Sequence, residues 1–152
     1  MDEVKEEFLV TKTIQEVEVE REMDINFVGV YITSDDKLPI EYYQKAMNFH
    51  RKGDRTIFIF ICDIETFIFC EESFDGKHAV GDARILRTSV KTFDFALMTS
   101  CNSTIVSNDV GVLHALLNNG VTTVYKPKLT EEPDYYVPWM ISEHMANWYA
   151  ID

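Results

Sequence analysis

The sequence predicts an α/β fold built on a doubly wound, mostly parallel sheet, and three observations carry that expectation. Two runs, Ile25 to Ile32 and Thr56 to Cys62, are apolar almost throughout and rich in β-branched residues, the pattern of strands covered on both faces. Segments of strand and helix character alternate from Ile25 to Tyr125, an order that calls for parallel strands joined by right-handed crossovers. The length, 152 residues with 46% hydrophobic and 26% charged, suits one ordinary core.

Taken in order, residues 1–24 read as an acidic, solvated arm. Their apolar positions are sparse, and Val17 and Val19 alternate with Glu16, Glu18 and Glu20. The first core strand follows and runs into the polar loop Thr33, Ser34, Asp35, Asp36. Leu38-Pro39 opens a helix whose Ile40, Tyr43, Met47 and His50 recur at steps of three and four, with Pro39 near the start, where its missing N–H does no harm. The second strand ends at Asp63. Glu65 to Phe74 fits a short helix or another buried strand, and its pattern does not choose between them. Beyond Asp75-Gly76, Arg84 to Leu86 reads as a short strand and Val90 to Cys101 as a helix with Phe93, Leu97 and Met98 inward. Thr104 to Val106 is a strand, Asp109 to Leu117 a helix stopped by Asn119-Gly120, and Val121 to Tyr125 a strand. Residues 25–130 thus make the α/β domain. Residues 131–152 hold Tyr135, Tyr136, Pro138, Trp139 and Trp148, and read as an aromatic strap packed over the sheet.

The formal charge of -12 argues against an electrostatic grip on nucleic acid or on an anionic membrane, so a phosphate ligand has to be held locally. The longest apolar run, Ile57 to Cys62, falls far short of the ~20 residues that span a bilayer, and no secretory leader pattern is visible. Three cysteines, Cys62, Cys70 and Cys101, lack CxxC spacing and are odd in number, which suggests neither a disulfide framework nor a metal site. Without GxGxxG, Walker A, GxSxG or HExxH motifs, the common dinucleotide, NTPase, hydrolase and metalloprotease readings lose their main support.

Parallel sheets bind ligands beyond their strand carboxyl ends, where this sequence sets three polar clusters: Thr33 to Asp36, Asp63, and Ser107 to Asp109. Ser107-Asn108-Asp109 ahead of a helix is both a capping signal and a ready anion site, because the first N–H groups of a helix lack internal acceptors. Asp63 suits the N–H edge of a purine or a sugar hydroxyl. Arg84 and Arg87 are candidate phosphate contacts. His114, inside a helix, reads as a core or boundary residue.

These clusters line up with a family pattern. Val28-Gly29-Val30-Tyr31-Ile32 runs through Asp35-Asp36 to Leu38-Pro39 and Tyr42-Tyr43-Gln44-Lys45-Ala46-Met47; Phe60-Ile61-Cys62-Asp63 ends a strand; Phe93 to Thr99 precedes Cys101; and Val106-Ser107-Asn108 opens a helix. The chain resembles the carboxyl-terminal half of the α-1,2-fucosyltransferases, glycosyltransferase family 11. Thr33 and Ser34 stand where that family carries two arginines. The resemblance implies a Rossmann-like half of a GT-B-like fold that binds GDP-fucose and passes fucose, with inversion and without a metal, to the 2-hydroxyl of a galactose-containing glycan. It implies a Golgi protein, with Asp36, Asp63, Ser107 and Asn108 as nucleotide-sugar-binding residues and no catalytic residue assigned. With Thr33 and Ser34 in place of the arginines, and about half the length that a two-domain GT-B-like architecture needs, the chain reads as a truncated or decayed member, the alternative being a non-enzymatic fold kept for interaction.

Overall fold

The computed structural model describes residues 13–15, 25–33, 38–51, 55–74, 82–87, 91–128, 130–131 and 136–152. Most of the acidic arm lies outside them, as do Ser34, Asp35 and Asp36. The elements are β1 (Asn26–Ile32), α1 (Ile40–His50), β2 (Thr56–Cys62), α2 (Phe67–Phe74), β3 (Asp82–Arg87), α3 (Lys91–Ser100), β4 (Ser103–Ile105), α4 (Asp109–Asn118), β5 (Thr122–Tyr125), α5 (Tyr136–Ser142) and β6 (Trp148–Ile151). They build a six-stranded sheet in the order β3-β2-β1-β4-β5-β6, and every pairing is parallel. This is a Rossmann-like doubly wound α/β fold.

The all-apolar runs become the centre of the sheet for the expected reason. Alternate residues of a strand point to opposite faces, so a strand covered on both sides must be apolar at every position. On one face Val28, Val30, Ile32, Phe58 and Phe60 pack with Tyr42, Tyr43, Ala46 and Met47 of α1 and Phe74 of α2. On the other, Phe27, Tyr31, Ile57, Ile59 and Ile61 meet Leu97 and Met98 of α3 and Val112 and Ala115 of α4.

At three places the structure adds to or departs from the sequence expectation. Glu65 to Phe74, open in the sequence between a short helix and a strand, takes the first alternative over Phe67–Phe74, with Ile64–Thr66 forming a turn. The tail is more than a strap: Trp148–Ile151 pairs with β5 and extends the sheet, while α5 packs beside it. Only Trp148 of that strand is buried, so the continuous apolar run that marks β1 and β2 is missing from it.

The third difference is a disulfide between Cys62 and Cys70, with the buried Cys101 outside it. The spacing carries no CxxC signature. It joins the last residue of β2 to the first turns of a helix that folds back on the same face of the sheet, where both sulfurs are buried. Thiol titration of the unreduced chain in denaturant is expected to find one thiol, and three after reduction. Reduction should lower stability by about 2–3 kcal/mol, as expected for opening so short a loop. Three titratable thiols without reductant would contradict the pairing.

Candidate functional site

All carboxyl ends of a parallel sheet lie on one side, and a crevice opens where neighbouring strands send their connections to opposite faces. Here that point lies between β1, followed by α1 on one face, and β4, followed by α4 on the other. Two residues span it: Asn108 Nδ2 donates to Thr33 Oγ1 at 3.1 Å. Asn108 has the extended backbone of a capping residue, φ -134 and ψ 178, and its Oδ1 accepts from the Gly111 N–H at 2.8 Å. Its side chain therefore serves helix start and crevice together. Gly111 lets α4 begin hard against the preceding segment, since a methyl group there would stand 2.8 Å from Val106 Cβ.

Helix α1 braces this end from the other face. The Tyr42 hydroxyl lies 2.6 Å from the Val106 carbonyl and 3.1 Å from that of Thr123, and the Tyr43 hydroxyl lies 3.2 Å from Ser107 Oγ. All are buried, so each bond forms where a lost partner is costly, about 1–3 kcal/mol per orphaned group. Ser107 and Asn108 are thus fixed in position.

Asp63 sits at the end of the adjacent strand β2. Its Oδ1 accepts from the Thr66 N–H at 2.9 Å and from Thr66 Oγ1 at 2.7 Å, and that hydroxyl also lies 3.1 Å from the Ile32 carbonyl. Asp63 therefore organises the turn into α2 and ties it to the end of β1. The structure brings Asp63, Ser107 and Asn108 to one end of three neighbouring strands, β2, β1 and β4; Asp36 lies outside the described residues. Arg87 ends β3 with its guanidinium 5.6 Å over the Phe67 ring. Among the described residues, no group of three or more His, Cys, Asp or Glu side chains is placed to hold a metal ion.

The sequence singles out Thr33 only as part of a polar cluster and Tyr42-Tyr43 only as part of a helix and a family pattern, and it passes over Thr66; none of their hydrogen-bond partners is readable from it. Their common signal is a hydroxyl beside a strand end, a weak cue because Thr and Tyr also belong to ordinary strand and core positions. His114 is fully buried in α4, edge-on to the rings of Tyr31 and Phe95 at 4.7 and 4.3 Å. Neither ring nitrogen has a hydrogen-bond partner, and burial pulls its pKa from 6.5 to about 4.

What this end of the sheet offers chemically is the amino-terminal turn of α4. Its N–H groups and the positive end of the helix dipole suit an anionic group, and Asp109 in that turn is solvent-exposed, where its charge is screened.

Two solved structures share the fold. ADP-heptose LPS heptosyltransferase II of E. coli aligns with a TM-score of 0.55 at 13% identity, covering 84% of this chain and 38% of that one. A family 9 glycosyltransferase from Veillonella parvula DSM 2008 aligns with a TM-score of 0.57 at 14% identity, covering 93% and 40%. The chain spans well under half the length of either. No protein family and no curated protein matches it. The likeness supports a glycosyltransferase-type α/β fold, and it lends no support to a fucosyltransferase, to GDP-fucose or to the Golgi. Among the described residues no helix is long and apolar enough to cross a membrane.

Proposed function

We propose that this chain is the nucleotide-sugar-binding half of a glycosyltransferase and takes its donor in the crevice between β1 and β4. The observation that carries the reading is the reversal of strand order at that point with the capped start of α4 opening into it. In this reading Ser107 and Asn108 meet the diphosphate and Asp63 the base, and Asp36, by the resemblance, is a further nucleotide-sugar-binding residue. The bond from the sugar's anomeric carbon to the diphosphate breaks as one to an acceptor hydroxyl forms, and the hydroxyl proton passes to a base not assigned to any residue here. The helix N–H groups stabilise the charge on the departing diphosphate. The resemblance to the α-1,2-fucosyltransferases makes the donor GDP-fucose, the acceptor a galactose-containing glycan and the compartment the Golgi; ADP-heptose is the donor named for the E. coli neighbour.

A second reading, a non-enzymatic fold kept for partner binding, draws on the same residues. Asn108 and the Asp63 Oδ1 already hydrogen-bond within the protein, and Thr33 is neutral where the resembled family has a permanent charge. Calorimetric titration with GDP, GDP-fucose and ADP-heptose separates the two. Because Thr33, Ser107 and Asn108 are uncharged, weak donor binding is expected, with Kd roughly 0.1–1 mM. Silence with every nucleotide at ~5 mM would give the chain to the second reading.

A further inference from the structure

The opposite end of the sheet holds a cavity of about 560 Å³, where the amino ends of β1, β4 and β5 meet the last turn of α1 and the start of β6. We infer that this cavity binds a neutral saccharide unit, independently of any nucleotide at the carboxyl ends.

The lining selects that class. No Lys, Arg, Asp or Glu is among its ten residues, which disfavours a phosphate, a carboxylate or a cation as ligand. Its polar side chains are the amides of Asn26, Asn102, Asn119 and Asn147, the hydroxyls of Ser103 and Tyr149, and the imidazole of the buried His50, whose Nε2 lies 3.2 Å from Thr123 Oγ1; the amides and hydroxyls donate and accept within one side chain, as the hydroxyls of a sugar do. Asn26 Nδ2 is anchored on the His50 carbonyl at 3.1 Å, and Asn102 Oδ1 accepts from the Phe27 N–H at 2.9 Å. Among the described residues, Asn26 Oδ1, Asn102 Nδ2 and Ser103 Oγ have no protein partner, and the side chains of Asn119 and Asn147 have none at all. Ser103 is itself buried and lines the space. Two of the amides are thus held by one end with the other left to a ligand, so little side-chain freedom remains to be lost on binding.

The aromatic part of the lining agrees. Phe49 and Tyr149 are 48% and 46% exposed, with ring centroids 5.1 Å apart and planes tilted by 45°. Two half-exposed rings side by side offer electron-rich faces to the slightly positive C–H groups on one side of a pyranose, while the amides take its hydroxyl edge. The volume falls within the usual range for small-molecule sites, about 300–1,000 Å³, and admits one or two sugar rings.

The test is ligand-observed NMR on the full chain with galactose, fucose, glucose, N-acetylglucosamine and lactose, beside glucuronate and glucose 6-phosphate as charged controls. Two variants spare the fold. Tyr149→Ala removes a half-exposed ring, and Asn119→Gly removes an amide while keeping the left-handed backbone that Asn119 adopts at φ 62. The expected result is saturation transfer to at least one neutral sugar, reduced at least tenfold in Tyr149→Ala and several-fold in Asn119→Gly, with melting temperature and GDP titration unchanged. No transfer to any neutral sugar at ~10 mM, equal transfer in wild type and variants, or transfer only to the charged controls would each overturn the inference. Since GDP is read at the other end of the sheet, loss of GDP binding and loss of sugar binding fail separately.

Discussion

Lowering the pH from 7 to 4 is expected to remove about 3 kcal/mol of stability through His114 alone. The unfolded chain protonates this ring near 6.5, whereas the folded chain resists protonation down to about 4. Between those values the unfolded state binds more protons, so stability is complete above 6.5, falls as the pH drops, and is fully lost below 4. The cause is local. The ring is wholly buried between Tyr31 and Phe95, and neither nitrogen has a partner to share a charge with. Urea melts of the chain and of His114→Leu, run from pH 7 to 4, isolate the effect from that of the carboxylates. The variant should be the more stable at pH 7 by about 1–3 kcal/mol, because two orphaned polar atoms are gone. It should also lose less on acidification. Parallel pH profiles for the two proteins would show that the ring is not held neutral in the fold.

A single methyl group at Gly120 is expected to cost at least 3 kcal/mol, at the upper end of ordinary overpacking. A Cβ there would stand 2.0 Å from the Asn102 carbonyl oxygen and 2.6 Å from Asn118 Oδ1. The nearer contact is backbone, so no rotamer relieves it. The segment is also held on both sides: Asn118 Nδ2 bonds the carbonyls of Met98 and Cys101 at 2.8 and 2.6 Å, and its Oδ1 accepts from the Gly120 N–H at 3.0 Å. Gly111→Ala is the useful comparison. Its methyl would stand 2.8 Å from Val106 Cβ, an atom the backbone also fixes, but the overlap is milder than the 2.0 Å approach at Gly120 and needs a smaller shift. Thermal melts should rank Gly120→Ala well below Gly111→Ala, and a Gly120→Ala protein within 1 °C of wild type would refute the close approach.

Much of the fold was legible because its centre is simple. β1 and β2 are apolar at nearly every position, and alternation with helices leaves few topologies open. β6 was not legible, since an edge strand with one buried residue shows neither a run nor a clean alternation. Asn119-Gly120 marks the stop after α4 in the sequence, and the structure divides the work between them. Asn119 takes the left-handed backbone, and Gly120 provides the room against Asn102. At the candidate site, the identities of Asp63, Ser107 and Asn108 were readable from their places after strands. Their partners were not, because Thr66, Tyr43 and Thr33 are found through local turn geometry and through a helix that crosses beneath the sheet. The Cys62–Cys70 bond was hidden for a like reason, as it depends on which way α2 folds back.

The central position of β1 also sets an order in time. Its partner β2 begins at Thr56, one helix away, so that the unit β1-α1-β2 can zip together from contacts close along the chain. Its other partner, β4, must return across everything between, and Asn102 reaches Phe27 at a separation of 75 residues. Closing a longer loop costs little extra free energy, because that cost grows only logarithmically with length, but it slows the search. Until β4 docks, one side of β1 lies open, an apolar strand edge with unpaired amides. A chain emerging from the ribosome exposes that edge until Ser103–Ile105 has been made, and aggregation competes with folding most strongly during that interval.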